Sequence, residues 1–268
     1  MDAIASSHLR AASAGAVFDR LVVGIDGTEA GLEACRQALR LADPHAELEL
    51  VSAMYLVEAV RAGWSAVRMT EELEREAGAA LREAEALAGD CASGRLVNGP
   101  PVKVLLQEVE RRRATLLALG THGHSRASEI LVGGVAGEML HDAPCSVLIA
   151  RAPSDPAVFP AAIVVGVDGS PEAGAALAAA AALQRRFGAD LRVLAALGGK
   201  HVDSAQVQRQ CPTADLVDAH PVDALVRASG DADLVVVGSR GLHGIVSLGS
   251  VSERVAHRAR SSVLVVRS

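Results

Sequence analysis

Glycines placed just after short apolar runs are the residues in this sequence whose types and spacing could do chemistry. The chemistry they suit is the holding of a phosphate. In the first half, Leu116-Leu-Ala-Leu-Gly120-Thr-His-Gly123 runs into a glycine-rich loop, and Gly133 and Gly134 open the helix that follows. In the second half, Leu234-Val-Val-Val-Gly238-Ser-Arg-Gly241 leads through a similar loop to Gly249-Ser250-Val251-Ser252. A helix start presents unpaired N–H groups and a partial positive charge, so an anion is stabilised there. Each half also carries an apolar run ending in Asp-Gly, at Asp26-Gly27 and at Asp168-Gly169. An isolated Asp-Gly is an ordinary strand-to-helix turn, and a lone glycine can serve a tight turn. Their recurrence in both halves is what marks them out.

Other chemistries are not supported by the residues. No GxxxxGK[ST] occurs, and the glycines after the first strand do not form GxGxxG, so the P-loop and dinucleotide fingerprints are missing. His122-Gly123-His124 superficially suggests the HxGH signature of adenylyl-transferring enzymes, but that pattern needs histidine at the position of Thr121. No Ser-His-Asp order or paired carboxylates stand out, so no catalytic residue is assigned. His122, His124 and His141 read as surface or loop residues with no metal site, since no carboxylate or cysteine lies at ligand spacing. Cys35, Cys91, Cys145 and Cys211 form no CxxC pair and read as reduced core or helix residues. Ser250-x-x-Glu253 also has the form of a capping box, a role compatible with binding.

The elements that must position these glycines repeat as well. Leu21-Val-Val-Gly-Ile-Asp26 matches Ile163-Val-Val-Gly-Val-Asp168, and Cys145-Ser-Val-Leu-Ile-Ala-Arg151 matches Ser261-Ser-Val-Leu-Val-Val-Arg267. Three matches in one order indicate a duplication, with one domain over residues 1–152 and a second over 158–268. Pro153, Pro156 and Pro160 between them disfavour a helix and suggest an extended tether.

Strands are expected over residues 21–25, 47–53, 115–119 and 145–151, with the 115–119 run counted as the fourth. A helix is expected over 29–42 with Leu32, Cys35 and Leu39 on one face, and a long amphipathic one through Met69, Leu73, Ala77, Leu81, Ala84 and Ala88. Gly99-Pro100 opens a further helix that ends in Arg111, Arg112 and Arg113, read as a solvated end favourable to the helix dipole. Strands alternating with helices imply an α/β fold with a parallel sheet. The second half is shortened: Asp26 to Gly120 spans 94 positions and Asp168 to Gly238 only 70. The counterpart of the long helix is reduced to a polar segment, residues 198–210, which leaves a sheet face for the other half to cover.

Hydrophobic residues make up 50% of the chain and aromatic ones 2%, so the cores must be aliphatic. A net charge of −6 with scattered Lys and Arg offers no basic stripe, which argues against nucleic acid. Neither the first 18 residues nor the alanine-rich run at 175–183 suits export or membrane crossing, so a soluble cytoplasmic protein without membrane contact is expected. Trp64, the single tryptophan, falls in the loop after the second strand, where it covers the pocket or simply packs.

Strand-Asp-Gly followed by G-x2-G-x9-G-[ST] resembles the universal stress proteins, and the likeness covers nearly the whole chain twice. The resemblance implies two tandem open parallel five-stranded sheets flanked by helices, related to the adenine nucleotide α-hydrolase-like group, with the second domain shortened. It also implies that the glycine motif holds the ribose and phosphates of ATP, with or without Mg, in members that bind it. The fifth strands would pair across an intramolecular pseudo-dimer, with a homodimer as the alternative. By this resemblance Asp26, Gly27 and Asp168 line the nucleotide site and Ala53 offers backbone groups to adenine. Gly120, Gly123, Gly133, Gly134 and Val135, and in the second half Gly238, Gly241, Gly249, Ser250, Val251 and Ser252, form the phosphate side.

Both motifs depart from the family pattern. The first keeps the spacing, but Gly134 and Ala136 stand where hydroxyls are expected; the second keeps Ser250 and Ser252, but only seven residues separate Gly241 from Gly249. The leading expectation is a non-enzymatic stress-response protein, at most a slow ATPase, binding an adenine nucleotide in the first half. A nucleotide-independent assembly module and, more weakly, an adenylating enzyme are the alternatives.

Overall fold

The computed structural model describes residues 18–55, 66–121, 132–198, 202, 204–239 and 251–267. The strands are β1 (Arg20–Gly24), β2 (Glu47–Met54), β3 (Ala92–Asn98), β4 (Leu116–Gly120) and β5 (Ser146–Ala150) in the first half. In the second they are β6 (Ala162–Gly166), β7 (Asp190–Ala196), β8 (Asp215–Val217), β9 (Leu234–Gly238) and β10 (Ser262–Val266). The helices are α1 (Glu29–Leu41), α2 (Ala66–Ala88), α3 (Pro101–Arg112), α4 (Gly134–Asp142), α5 (Pro171–Phe187), α6 (Ser204–Gln210), α7 (Pro221–Ala228) and α8 (Val251–Arg258).

The strands form one ten-stranded sheet in the order β3-β2-β1-β4-β5-β10-β9-β6-β7-β8. Every pairing within a half is parallel, and the central pairing of β5 with β10 is antiparallel. The expected pair of five-stranded parallel sheets is therefore continuous. All five residues of both β5 and β10 are buried, and an open edge there would expose a row of unpaired backbone groups, which the union removes.

Alternation along the strands sends side chains to two separate cores. Leu21, Val23, Leu116, Ala118, Leu148, Leu264, Leu234 and Val236 face α1, α2 and α5. Val22, Leu117, Leu119, Val147, Ile149, Val235 and Val263 face α3, α4, α7 and α8. The result is a three-layer sandwich whose central strands are apolar on both faces, as buried parallel strands require. Local chemistry starts the helices correctly. The Thr28 hydroxyl accepts the Gly31 amide at 3.2 Å and Ser170 accepts that of Ala173 at 3.2 Å, so α1 and α5 begin at equivalent N-caps.

Several expectations need correction. The proline-rich connector is not an extended tether: Pro156–Val158 is a turn of 3-10 helix and Phe159 is buried in the core. Arg40 of α1 donates to the carbonyls of Phe159 (3.2 Å) and Ala157 (2.8 Å), which pins the connector to the first half. The Arg111–Arg113 run is more than a solvated helix end. Glu49, on β2, and Glu108, on α3, are buried, and Arg111 reaches them at 2.9 and 2.6 Å while Arg112 pairs with Glu49. Buried carboxylates are retained only when compensated, so these arginines fix α3 to the sheet. Arg113 ends the helix in left-handed geometry, φ 50°. All four cysteines are free, but Cys91 is exposed rather than in a core. Cys35 and Cys145 are buried, and burial pushes both thiols up to about 11.

The long helix of the first half does shrink to α6, seven residues long, in the second. Val207 of α6 is buried in the core and so supplies part of the missing cover.

Candidate functional site

The carboxyl ends of β1 and β4 and the start of α4 meet at one end of the first half. Gly27 has φ +78°, a conformation that favours glycine, and lets β1 turn sharply into α1. The Asp26 carboxylate shapes that turn: its Oδ1 accepts the Thr28 amide at 3.0 Å and the Thr28 hydroxyl at 2.6 Å. Asp26 and Gly27 are both exposed. Asp168 accepts the Ser170 amide at 3.0 Å in the same way, and Gly169 has φ +87°.

Gly120 is required by close approach. A methyl group there would lie 2.5 Å from the carbonyl carbon of Ala30, so the end of β4 abuts the first turn of α1. Gly238 stands in the same relation to Glu172 of α5, also at 2.5 Å. These two glycines thus have a structural reason to be glycine, whatever ligand they meet.

Thr121 and Gly133 bracket the glycine-rich loop, and the Gly133 amide donates to the Thr121 carbonyl at 2.7 Å. Thr121 and Gly133 therefore lie side by side at the end of β4 and the start of α4. Gly133 is the N-cap of α4 and makes no side-chain cap, and no acid lies in the first turn. Gly134 is exposed, and no described residue lies within 4 Å of where a side chain would project. Half-buried Val135 follows it. A helix start of this kind has the polarity to take a phosphate oxygen.

Ala53 lies at the same end of β2, beyond the point where the Ile25 amide meets the Val51 carbonyl at 2.8 Å. The structure thus brings together Asp26, Gly27, Gly120, Gly133 and Gly134, with Ala53 on the neighbouring strand end. Gly123, His122, His124 and Trp64 lie outside the described residues. So do Gly241, Gly249 and Ser250, and with Ser250 the capping-box reading. His141 is exposed near the end of α4.

The two halves differ at the Asp-Gly turn. Over Gly27 the nearest group is the Ala80 methyl of α2, 3.4 Å from a notional Cβ. Over Gly169 lies Gln206 of α6, whose amide donates to the Gly169 carbonyl at 2.7 Å, and Gly169 is buried. At the other wall Val251 is exposed and Ser252 is buried. Gly27 is thus exposed where Gly169 is covered.

The model of the universal stress protein family matches residues 18–151 and 201–267, three quarters of the chain. The chain belongs to the universal stress protein family. Among relatives, universal stress protein Rv2005c of Mycobacterium tuberculosis (strain ATCC 25618 / H37Rv) is 29% identical over 291 aligned positions, covering 92% of this chain and 96% of that one. Universal stress protein Rv2623 of the same organism is 33% identical over 185 positions, covering 58% and 62%. The crystal structure of a universal stress protein from Archaeoglobus fulgidus DSM 4304 superposes with a TM-score of 0.72 at 22% identity, over 94% of this chain and 97% of that one. That superposition extends through both halves and supports the shared fold. No helix among the described residues of this universal stress protein is long and apolar enough to cross a membrane.

Sequence reasoning missed the residues that join the halves. Ser262 donates to Gln37 at 2.7 Å, Gln37 donates to the Arg151 carbonyl at 2.7 Å, and the Arg151 amide donates back to Ser262 at 3.0 Å. The signal was present in the repeated Ser-Val-Leu-x-x-Arg of the closing strands, whose polar members were matched without being given a task.

Proposed function

We propose that the first half binds an adenine nucleotide, ATP with or without Mg, at the crevice formed by Asp26, Gly27, Gly120, Gly133, Gly134 and Val135, with Ala53 presenting backbone groups to the base. The observation that carries this reading is the convergence of the two strand ends on the start of α4, where Gly133 supplies no side-chain cap and no described residue lies within 4 Å of the position a side chain at Gly134 would take. Backbone donors there do not depend on the hydroxyls that the sequence lacks. Loss of a neutral hydrogen bond costs about 0.5–1.5 kcal/mol, which weakens a site without abolishing it.

The second half, with Gln206 against Gly169, takes the part of an assembly partner, and the chain works as an internal pseudo-dimer divided within residues 152–158. Its role is stress-response binding and signalling through conformation or partner contact, with no chemical step assigned. A thermal unfolding series of the full chain with Mg-ATP tests this. Ligand at 100 times its dissociation constant adds about 2.7 kcal/mol of stability, and an unchanged melting temperature at millimolar ATP refutes the reading.

A further inference from the structure

The last residue of each closing strand is followed by an arginine that reaches into the other half. Arg151, just past β5, donates to the carbonyls of Ala256 (2.6 Å), in the last turn of α8, and Ser261 (3.2 Å), just before β10. Arg267, just past β10, donates to the carbonyls of Leu140 (2.6 Å), His141 (3.1 Å) and Ala143, at the end of α4. The exchange is reciprocal: each half supplies the cation that satisfies the carbonyl end of the other half's last helix, where the helix dipole is negative. The supporting serines are reciprocal too. The Arg267 amide donates to Ser146 at 3.2 Å and the Arg151 amide to Ser262 at 3.0 Å.

Both arginines are largely withdrawn from water. Burial pulls the Arg151 guanidinium down to about 10, still protonated at neutral pH, and lowers that of Arg267. A partly buried guanidinium that satisfies several carbonyls at once is a stiff connection, because its planar fork fixes the direction of each bond. The two gripped helices also touch: Gly137 of α4 lies against His257 of α8, with a notional Cβ 3.8 Å from the imidazole.

α4 is nine residues long, so its gripped end is about 13 Å from its start at Gly133 and Gly134. A rigid helix of that length carries displacement from one end to the other. We infer that Arg267 is a positioning residue for the crevice of the first half, and Arg151 its counterpart for the second, so that each crevice is set by the chain end of the opposite half. This deepens the nucleotide reading and rests on it for its functional consequence. The control of α4 and α8 themselves is independent of any ligand.

The test uses the full chain carrying Arg267→Gln, Arg267→Lys or Arg151→Gln. Without nucleotide, Arg267→Gln speeds amide hydrogen exchange in the α4 amides of residues 137–142 about tenfold, the expected scale for losing a cationic cap, and leaves β1 and β4 unchanged. Arg151→Gln does the same to α8. Arg267→Lys, which keeps the charge but loses the fork, lies between Arg267→Gln and the parent and remains readable if Arg267→Gln fails to fold. With Mg-ATP, Arg267→Gln raises the Kd about tenfold and Arg151→Gln changes it less than threefold, because only the first helix end is disturbed.

Exchange that rises only in β10 and α8, or evenly across the chain, overturns the inference. So does an unchanged Kd when α4 has loosened and the parent binds ATP. If the parent binds no ATP, the nucleotide reading falls, and confinement of the exchange effect to the opposite half's helix then decides the positioning claim alone.

Discussion

Gly120→Ala is expected to destabilise the protein by about 3 kcal/mol, the upper range for forcing extra volume into a filled site. The added methyl would lie 2.5 Å from the carbonyl carbon and 2.6 Å from the carbonyl oxygen of Ala30. These are backbone atoms, so no side chain can swing away, and the first turn of α1 must separate from the end of β4. Gly238→Ala meets the backbone of Glu172 at the same distance and should cost a similar amount. Gly134→Ala is the control. It adds a methyl where no described residue lies within 4 Å, at the first position of α4, where alanine's helix propensity makes the change neutral or stabilising by up to about 1 kcal/mol. Urea unfolding of the three variants checks the contrast, and a Gly120→Ala midpoint equal to that of the parent would rule out the close approach of β4 and α1.

The second large effect lies at the junction of the halves. Leu148 and Leu264 are directly opposite in the antiparallel pairing of β5 with β10, face the same core and are fully buried. Truncating either to alanine removes about 3 kcal/mol, within the range for buried leucines. Because they are register partners, the double variant should depart from additivity by at least about 0.5 kcal/mol. Leu96 on the edge strand β3 is 36% exposed, so Leu96→Ala should cost only about 0.5 kcal/mol. Denaturant unfolding at constant m-value measures all four. Equal losses at Leu148 and Leu96 would show that the junction does not carry the stability assigned to it.

The residues differ in how openly they declare their place. Central strands such as β1 and β9 are continuous apolar runs bounded by Asp-Gly or glycine, and α1 and α2 show clean helical periodicity, so these were legible. β3 was not placed from sequence, because Ala92–Asn98 is an edge strand with mostly exposed side chains and lacks both a continuous and an alternating apolar pattern. It is held by parallel pairing with β2, and the Gly94 amide is bound by Glu85 of α2 at 3.0 Å. Proline spacing in the connector points away from a helix and conceals the 3-10 turn at Pro156–Val158, and nothing in the local sequence announces that Arg40 captures its carbonyls. The arginine run that closes α3 gave its position at the helix end and concealed its partners, since Glu49 is more than 60 residues away in sequence.

The candidate site was legible in part for a related reason. Repetition marked Asp26, Gly27 and Gly120, and the structure brings them together. Repetition could not separate a glycine needed for close approach, as at Gly120, from one with no described residue within 4 Å of a side chain's position, as at Gly134. Nor could spacing alone reveal that Gln206 lies over the second Asp-Gly turn, because a side chain from a seven-residue helix leaves no periodic signature.

Amide hydrogen exchange of the full chain, compared with and without saturating Mg-ATP, tests most directly whether the first crevice is the nucleotide site. Protection confined to residues 24–31, 52–54 and 120–136, with residues 166–173 and 251–258 unchanged, is the result expected. Exchange that is identical with and without nucleotide, or protection confined to the second half, would contradict it.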